Sequence, residues 1–309
     1  MKHLLAIILA AGVMLLLTVP ARSSATTIAA ILSSDQPRYR EAHRAFVKSI
    51  ASHGYKAPST EITLHNPGSD PLSLSAEIRK LGNSRPNLIV AYGAPAALAA
   101  GREAPGVPVV SVDVFAPEQP IKGLCGVSSR VSMVTLLTTL QKVRHYQRLG
   151  VLYTPRDFGS QQQLDDIKKV ALKLGITVIE AGVTSAAALE PELNRLLDKC
   201  EAMVVTEGGG FSQQFERIIA KSRSRKIPVV STMPDAAEKG ALVSLEINPQ
   251  EQGYLAAEMA VRVLEGAKAE YLPMIRPQRI DLIINMRQAR EIGIQVPLSV
   301  LRRANRLIK

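Results

Sequence analysis

The sequence contains no tryptophan, and phenylalanine and tyrosine supply only 4% of its 309 residues. Surfaces that hold single-stranded nucleic acid depend on stacked aromatic rings, so this composition argues against such a surface, and against a carbohydrate-stacking one. The net charge of +11 is spread along the chain, and its densest basic cluster, "KSRSRK" at 221–226, is typical of a solvated helix end. With no recognition motif present, we expect no nucleic-acid partner.

Cysteine is also scarce, with Cys125 and Cys200 alone in the chain. Two cysteines in an oxidising compartment can form a disulfide. The pattern instead favours free thiols, because Cys200 closes a helix at the end of a strand away from any cleft, whereas Cys125 lies three residues before Ser128. The five histidines show no metal-ligand spacing, and we expect no metal site.

Motifs of catalysis are missing as well. The sequence has no Gly-x-Ser-x-Gly elbow and no phosphate-binding P-loop. The glycines at 208–210 lack the spacing of a dinucleotide fingerprint. We therefore expect a protein that is not an enzyme and that needs no cofactor.

The first 25 residues have the pattern of a secretory signal peptide. Lys2 and His3 precede an apolar core at 4–19, and small residues follow Pro20. Cleavage is expected after Ala25, with Ala21 as the alternative. The apolar run is short for a retained membrane anchor, and no cysteine follows it to carry a lipid. The segment predicts a periplasmic protein with a mature chain beginning at about residue 26.

The mature sequence repeats one βα pattern twice. Short strands rich in valine and isoleucine alternate with helices from 27 to 113, and again in the same order from 148 to 233. The motif "PVVS" recurs at 108–111 and 228–231, roughly 120 residues apart. Such alternation predicts right-handed crossovers and parallel sheets. The fold class is therefore α/β, with two similar doubly wound lobes.

Two glycine turns stand where a ligand of this fold class would bind. Ligands of doubly wound sheets bind beyond the carboxyl ends of the strands. There, "LIVAYGAP" ends a strand at Gly93, and "EGGGFS" ends another at Glu207. A helix N-terminus exposed by such a turn attracts anions. The alternative is a plain βα turn in which glycine allows the bend and proline begins the helix.

Several segments, in order, resemble one family. They are "SSDQPRYREAHRAF", "NLIVAYGAPAALAA", "VPVVSVDV", "GVSSRVSM", "RLGVLYTPRDFGS", "KIPVVSTM", "GALVSLEINPQEQGYLAAEMAVRVLEGAKAEYLPM" and "LIINMRQAREIGIQVPLSVLRRANRLIK". The set is similar to the substrate-binding proteins of ABC transporters of the tryptophan/tyrosine type, which have the type I periplasmic-binding fold. The resemblance implies a small solute, often an aromatic amino acid, held between hinged lobes and delivered to a membrane permease.

The same resemblance implies how the chain divides. One lobe would comprise 26–118 and 247–270, and the other 119–246 and 271–309, with a three-crossover hinge near 115–125, 242–250 and 268–278. The cleft departs from the family pattern in three places. Gly93-Ala94-Pro95 replaces Gly-Thr-Pro, Ser129-Arg130 stands where an acidic residue commonly follows Gly-Val-Ser, and Glu207 precedes glycines in place of an acidic-centred turn.

A zwitterionic amino acid needs amides and hydroxyls for its carboxylate and an acidic residue for its ammonium group. We assign the carboxylate to the amides of Gly93 and Ala94 and the hydroxyls of Ser128 and Ser129. Asp35 or Glu207 would meet the ammonium, and the side chain would lie among aromatic residues, namely Tyr39, Tyr92, Tyr153 and Phe211. The alternatives are that Asp35 caps a helix, that the serines are strand-edge hydroxyls and that the tyrosines belong to the lobe cores.

These observations predict an exported, monomeric solute-binding protein that serves an ABC importer through a permease of the inner membrane. Its ligand would be an amino acid or a similar small anionic or zwitterionic solute. A periplasmic sensor that presents its ligand to a membrane receptor or kinase has the same cleft features and remains the alternative.

Overall fold

A computed structural model describes residues 25–68, 70–116, 125–208, 211 and 213–309. The predicted signal peptide, apart from Ala25, lies outside the described residues. Within the described ranges, no helix combines the length and the apolar character needed to cross a membrane.

The strands, in chain order, are β1 (Thr26–Leu32), β2 (Thr60–His65), β3 (Leu88–Tyr92), β4 (Val109–Val114), β5 (Cys125–Ser128), β6 (Arg148–Tyr153), β7 (Thr177–Gly182), β8 (Ala202–Val205), β9 (Val229–Ser231), β10 (Val243–Ile247), β11 (Met274–Ile275), β12 (Ile280–Asn285) and β13 (Arg306–Ile308). The helices are α1 (Pro37–Ser52), α2 (Pro71–Ser84), α3 (Ala94–Glu103), α4 (Met133–Val143), α5 (Phe158–Leu174), α6 (Ala186–Leu197), α7 (Phe215–Ser224), α8 (Pro249–Leu264), α9 (Met286–Glu291) and α10 (Leu298–Leu301). A short 3₁₀ turn spans Ala269–Tyr271.

Each lobe is built on one sheet. The first sheet has the order β11-β5-β4-β3-β1-β2 and is parallel throughout. The second has the order β13-β12-β10-β9-β8-β6-β7, in which β12 runs antiparallel to β10. Central strands such as β3 and β8 are buried along their whole length, since helices cover both faces of such sheets. The prediction of two similar α/β lobes is confirmed.

Helix α8 returns to the first lobe, where it packs against α1. Gly253 permits this close packing, because a Cβ atom there would lie 2.2 Å from the carbonyl oxygen of Ala42. The expectation that this part of the chain crosses back onto the first lobe agrees with that packing.

The predicted lobe boundaries are wrong for two short strands. Both β5 and β11 were assigned to the second lobe, yet both lie in the first sheet, where Val127 pairs with Val112 on one side and Ile275 on the other. Strand β5 lies outside the two repeated units, so the repeat does not indicate which strand it pairs with. A two-residue strand such as β11 is too short to show a hydrophobic periodicity. In the described residues, the chain passes between the sheets at 129–132, at Asn248 and at 276–279.

The first of these passages is fixed by Arg130. Its guanidinium donates to the carbonyl of Ala116 at 2.7 Å, pairs with Asp166 on α5 and lies 5.3 Å from the ring centroid of Phe115. Phe115 directly follows β4 of the first lobe but packs into the core of the second. Through Asp166, Arg130 therefore fastens the passage to the second lobe.

The two cysteines are free and buried, Cys125 in the first lobe and Cys200 in the second. The expectation that they are unbridged agrees with this placement.

Candidate ligand-binding site

The carboxyl ends of the two sheets face one another across a cleft of about 470 Å³. The first lobe lines it with Ser33, Ser34, Asp35, Gln36, Pro37, Arg38, Tyr39, Gly68, Ala94, Pro95, Asp113 and Phe115. The second lobe lines it with Asp157, Gly159, Glu207, Gly208, Gln213, Met233, Pro234, Asp235 and Lys239. Of the residues predicted to bind the ligand, Asp35, Tyr39, Ala94 and Glu207 lie in this lining.

Gly93 forms a tightly packed corner behind the cleft. Its φ of +90° is left-handed, and a Cβ atom there would lie 2.6 Å from the hydroxyl oxygen of Tyr39 and 2.7 Å from Oγ of Ser33. The Gly93 amide donates to the carbonyl of Val112 at 2.8 Å, and the amide of Ala96 donates to Ser33 Oγ at 2.9 Å. The predicted ligand contact through the Gly93 amide is therefore wrong, since this amide serves the lobe itself.

A buried charge network lies on the first lobe. Arg38, near the start of α1, is 8% exposed, and its Nη2 donates to Oδ1 of Asp113 at 2.8 Å. The same oxygen accepts from Nε2 of Gln252 on α8 at 2.9 Å. Asp113 has a φ of +62° where the pairing of β4 with β5 shifts register. This irregular backbone at the end of β4 places the Asp113 carboxylate on the cleft.

Glu207 is the facing acidic residue of the second lobe. It follows β8, is half-buried, and its amide donates to Oε1 of Gln163 at 3.0 Å. Burial and the nearby Asp113 carboxylate raise the pKa of Glu207 to about 8, although Arg38 acts in the opposite direction. Charged groups of the two lobes thus interact across the cleft.

Acidic groups outnumber basic ones in the described lining. The carboxylates are Asp35, Asp113, Asp157, Glu207 and Asp235, and the cations are Arg38 and Lys239. Tyr39 and Phe115 border the cleft but are only 8% and 2% exposed. The excess of carboxylates favours a solute that carries a positive group.

Three of the predicted aromatic residues lie elsewhere. Tyr92 is fully buried, and its hydroxyl lies 3.1 Å from Nδ1 of His43. Phe211 is buried in the core of the second lobe, and Tyr153 packs against that lobe's other cluster. Neighbouring residues of a strand point to opposite faces, so a strand end can lie at the cleft while its last side chain enters the core.

The predicted serines are also withdrawn from the cleft lining. Ser128 and Ser129 are each 2% exposed. Ser128 Oγ accepts the amide of Arg130 at 3.1 Å, and the Ser129 amide donates to the carbonyl of Val114 at 2.9 Å. Ser128 also belongs to the first sheet, so it cannot hold a ligand from the second lobe as its predicted lobe assignment required.

Sequence reasoning missed Arg38 and did not select Asp113, Phe115 or Asp157. Arg38 lies in a helix with further basic residues, where an arginine is normally solvated. Its buried role follows from its partner Asp113, which is 75 residues away in sequence.

A group of three carboxylates, Asp235, Glu238 and Glu246, lies at the edge of the second lobe within metal-ligating distance. Arg306 pairs with Glu238 and lies 3.8 Å from Glu246. This guanidinium already supplies a counter-ion to the group.

Two doubly wound lobes joined by repeated chain passages, with a polar cleft between the carboxyl ends of their strands, define the type I periplasmic-binding fold. The chain belongs to the family described as "ABC transporter substrate binding protein", which matches residues 26–308.

A curated relative is the tyrosine-binding protein of Clostridioides difficile (strain R20291), which is 23% identical over 272 residues, or 84% of this chain and 79% of that protein. Among solved structures, an ABC domain in complex with L-Trp from Streptococcus pneumoniae has a TM-score of 0.85 and 23% identity, covering 92% of this chain and all of that one. A ligand-free, open substrate-binding protein with adhesive properties from Clostridium difficile has a TM-score of 0.71 and 23% identity, covering 92% of this chain and 99% of that one. These structures share the fold of this chain.

Proposed function

We propose that this protein captures an amino acid or a similar small zwitterionic solute between its lobes and delivers it to an ABC importer. The observation that carries the proposal is the cleft, which is lined from both lobes by acidic and basic groups. A small molecule with charges of both signs can satisfy such a site. The curated relative that binds tyrosine and the structural neighbour that holds L-Trp support an amino acid as the ligand class.

Export is part of the same proposal. The signal-peptide pattern at residues 1–25 and the membership of a family that serves transport across membranes support a mature protein in the periplasm. There it would act as a monomer, meet a permease of the inner membrane and release its ligand chemically unchanged.

The test is a thermal-shift screen of residues 26–309 with the common amino acids, sugars, purines and inorganic anions, followed by calorimetry and small-angle scattering. At least one amino acid should raise the unfolding temperature, bind at one site per chain and reduce the radius of gyration. A ligand that contacts both lobes stabilises the closed arrangement, which explains the compaction. Binding of sugars or purines alone, or chemical conversion of the bound amino acid, would contradict the proposal.

A further inference from the structure

The positive charge of the chain is spread along the sequence but not evenly over the fold. The ranges 26–128 and 249–275, which contain the strands of the first sheet, hold 12 lysines and arginines and 12 aspartates and glutamates. The ranges 129–248 and 276–309, which contain the strands of the second sheet, hold 24 and 15, a net charge of +9. The second lobe therefore carries the whole net charge of residues 26–309.

Part of this charge lies at the amino ends of the second lobe's strands. Strands β6 to β10 are parallel and begin side by side at one edge of the sheet, where the antiparallel β12 ends. The cleft lies at the opposite, carboxyl ends. Next to the amino ends are cations that reach solvent and form no salt bridge within the described residues, namely Lys142, Arg144, Lys173, Lys199, Lys226 and Arg287. We call these six residues the basic edge.

Acidic side chains near these strand ends do not offset the basic edge. Those within six residues before β6 to β10 or after β12 are all paired with other arginines, namely Asp198 with Arg225, Glu201 with Arg148, Glu238 with Arg306 and Glu291 with Arg223. A carboxylate that is already paired contributes little further attraction to a neighbouring cation. The cations of the basic edge therefore remain available to a partner.

Helix dipoles account for only part of the basic edge. Lys142 and Lys173 lie in the last turns of α4 and α5, where a cation meets the partial negative charge of a helix C-terminus, about half a unit per helix. Lys199 and Lys226 lie beyond the ends of their helices, and Arg287 lies in the first turn of α9, where a cation is unfavourable. The surplus charge therefore indicates a partner outside the chain.

The composition of the basic edge suits a lipid surface better than a protein surface. Protein interfaces are enriched in aromatic residues and depleted in lysine, whereas four of these six cations are lysines and the nearby Tyr146 is buried. Leu172, which is 82% exposed beside Lys173, adds an apolar side chain of the kind that enters a headgroup layer. An anionic headgroup layer attracts such dispersed cations and requires no shaped pocket.

We propose that the basic edge holds this protein against the anionic headgroups of a membrane surface, while the cleft at the opposite end of the second lobe stays accessible to its solute. The attraction is electrostatic and therefore depends on salt. It goes beyond the proposed function, because it is independent of the solute that the cleft holds. It would keep the protein near any partner embedded in that membrane.

Sedimentation with lipid vesicles tests the attraction. Residues 26–309, which contain every strand and helix described above, are mixed with vesicles of phosphatidylcholine, either alone or with about one third phosphatidylglycerol. At low salt the protein should bind the anionic vesicles at least about tenfold more tightly than the neutral ones. Salt of about 0.5 M should remove the difference, because the Debye length falls from about 10 Å at about 0.1 M to about 4 Å. No preference for the anionic vesicles would overturn the proposal and leave an acidic protein surface as the candidate partner.

A triple variant, Lys142→Gln, Lys173→Gln and Lys199→Gln, locates the surface. All three side chains are exposed, so the variant should unfold at the same temperature as the wild type. A basic residue near an anionic membrane contributes about fivefold to affinity. The loss of three should therefore weaken binding to the anionic vesicles about tenfold or more. Unchanged binding by a folded variant would show that the basic edge does not contact the membrane.

The matched control makes the same exchange at three exposed lysines of the first lobe, Lys48→Gln, Lys56→Gln and Lys80→Gln. Both triple variants have the same net charge, so a difference between them reports the position of the charge and not its amount. The control should keep most of the affinity for anionic vesicles, because its substitutions lie beyond a Debye length from a membrane at the basic edge. If the control loses as much affinity as the second-lobe variant, net charge alone attracts the membrane and the proposal is wrong.

Discussion

Replacement of Gly93 by alanine tests the corner behind the cleft. Its φ of 90° and ψ of 155° belong to a region that is essentially reserved for glycine, where another residue costs about 1–3 kcal/mol. The new Cβ atom would also lie 2.6 Å from the Tyr39 hydroxyl and 2.7 Å from Ser33 Oγ. Displacement of Ser33 breaks the hydrogen bond that its Oγ accepts from the Ala96 amide, which contributes about 1 kcal/mol. Together these effects predict a loss of about 2–4 kcal/mol in the free energy of unfolding.

The assay is urea unfolding of the ligand-free protein, with Gly101→Ala as the control. Gly101 lies on the same helix, α3, with nothing within 4 Å of a Cβ atom there. The control substitution should therefore stabilise the protein by about 0.5–1 kcal/mol, because alanine is the better helix former. Because Tyr39 lines the cleft, the Gly93 variant should also bind the proposed amino acid ligand more weakly. Equal unfolding midpoints for the two variants would refute the argument from backbone conformation and close packing.

Two further predictions concern Tyr92, which is buried, and Glu207, whose pKa is raised. Tyr92→Phe removes the hydroxyl that contacts His43, so unfolding should show a loss of about 1 kcal/mol in stability. Calorimetry should show an unchanged affinity for the proposed amino acid ligand, and a marked loss of affinity would return Tyr92 to the site. In thermal unfolding of the ligand-free protein, Glu207→Gln should be more stable relative to the wild type at pH 9 than it is at pH 5. The folded-state pKa of about 8 exceeds the ordinary value of 4.5, so the wild type loses stability as pH rises between those values; a pH-independent difference would contradict the raised pKa.

The fold was largely predictable because its information is local and repeated. The valine- and isoleucine-rich strands alternate with amphipathic helices in the same order twice, and buried parallel strands require such runs. The rule that ligands lie at carboxyl strand ends then placed Asp35, Ala94 and Glu207 at the cleft. The short strand β5 escaped prediction because its place beside β4 depends on a long-range pairing that four residues cannot reveal.

The site was less predictable because it depends on the direction of single side chains and on distant partners. Tyr92 and Gly93 are neighbours, yet one enters the core and the other forms the corner behind the cleft. Arg38 is separated from Asp113 by 75 residues and from Gln252 by 214. A sequence shows that these side chains are charged or polar, but only the packing of α1, β4 and α8 shows that they form one buried network.

The same network would couple both lobes to the proposed ligand. In the first lobe, Arg38 and Gln252 hold the Asp113 carboxylate in place, and Glu207 faces it from the second. Burial is the larger cause of the raised pKa of Glu207, and repulsion from the Asp113 carboxylate adds to it when both groups are ionised. A ligand cation between them removes the repulsion only when both lobes are near it. Such a ligand binds the closed arrangement more tightly than the open one, and this difference in affinity is what a hinge motion requires.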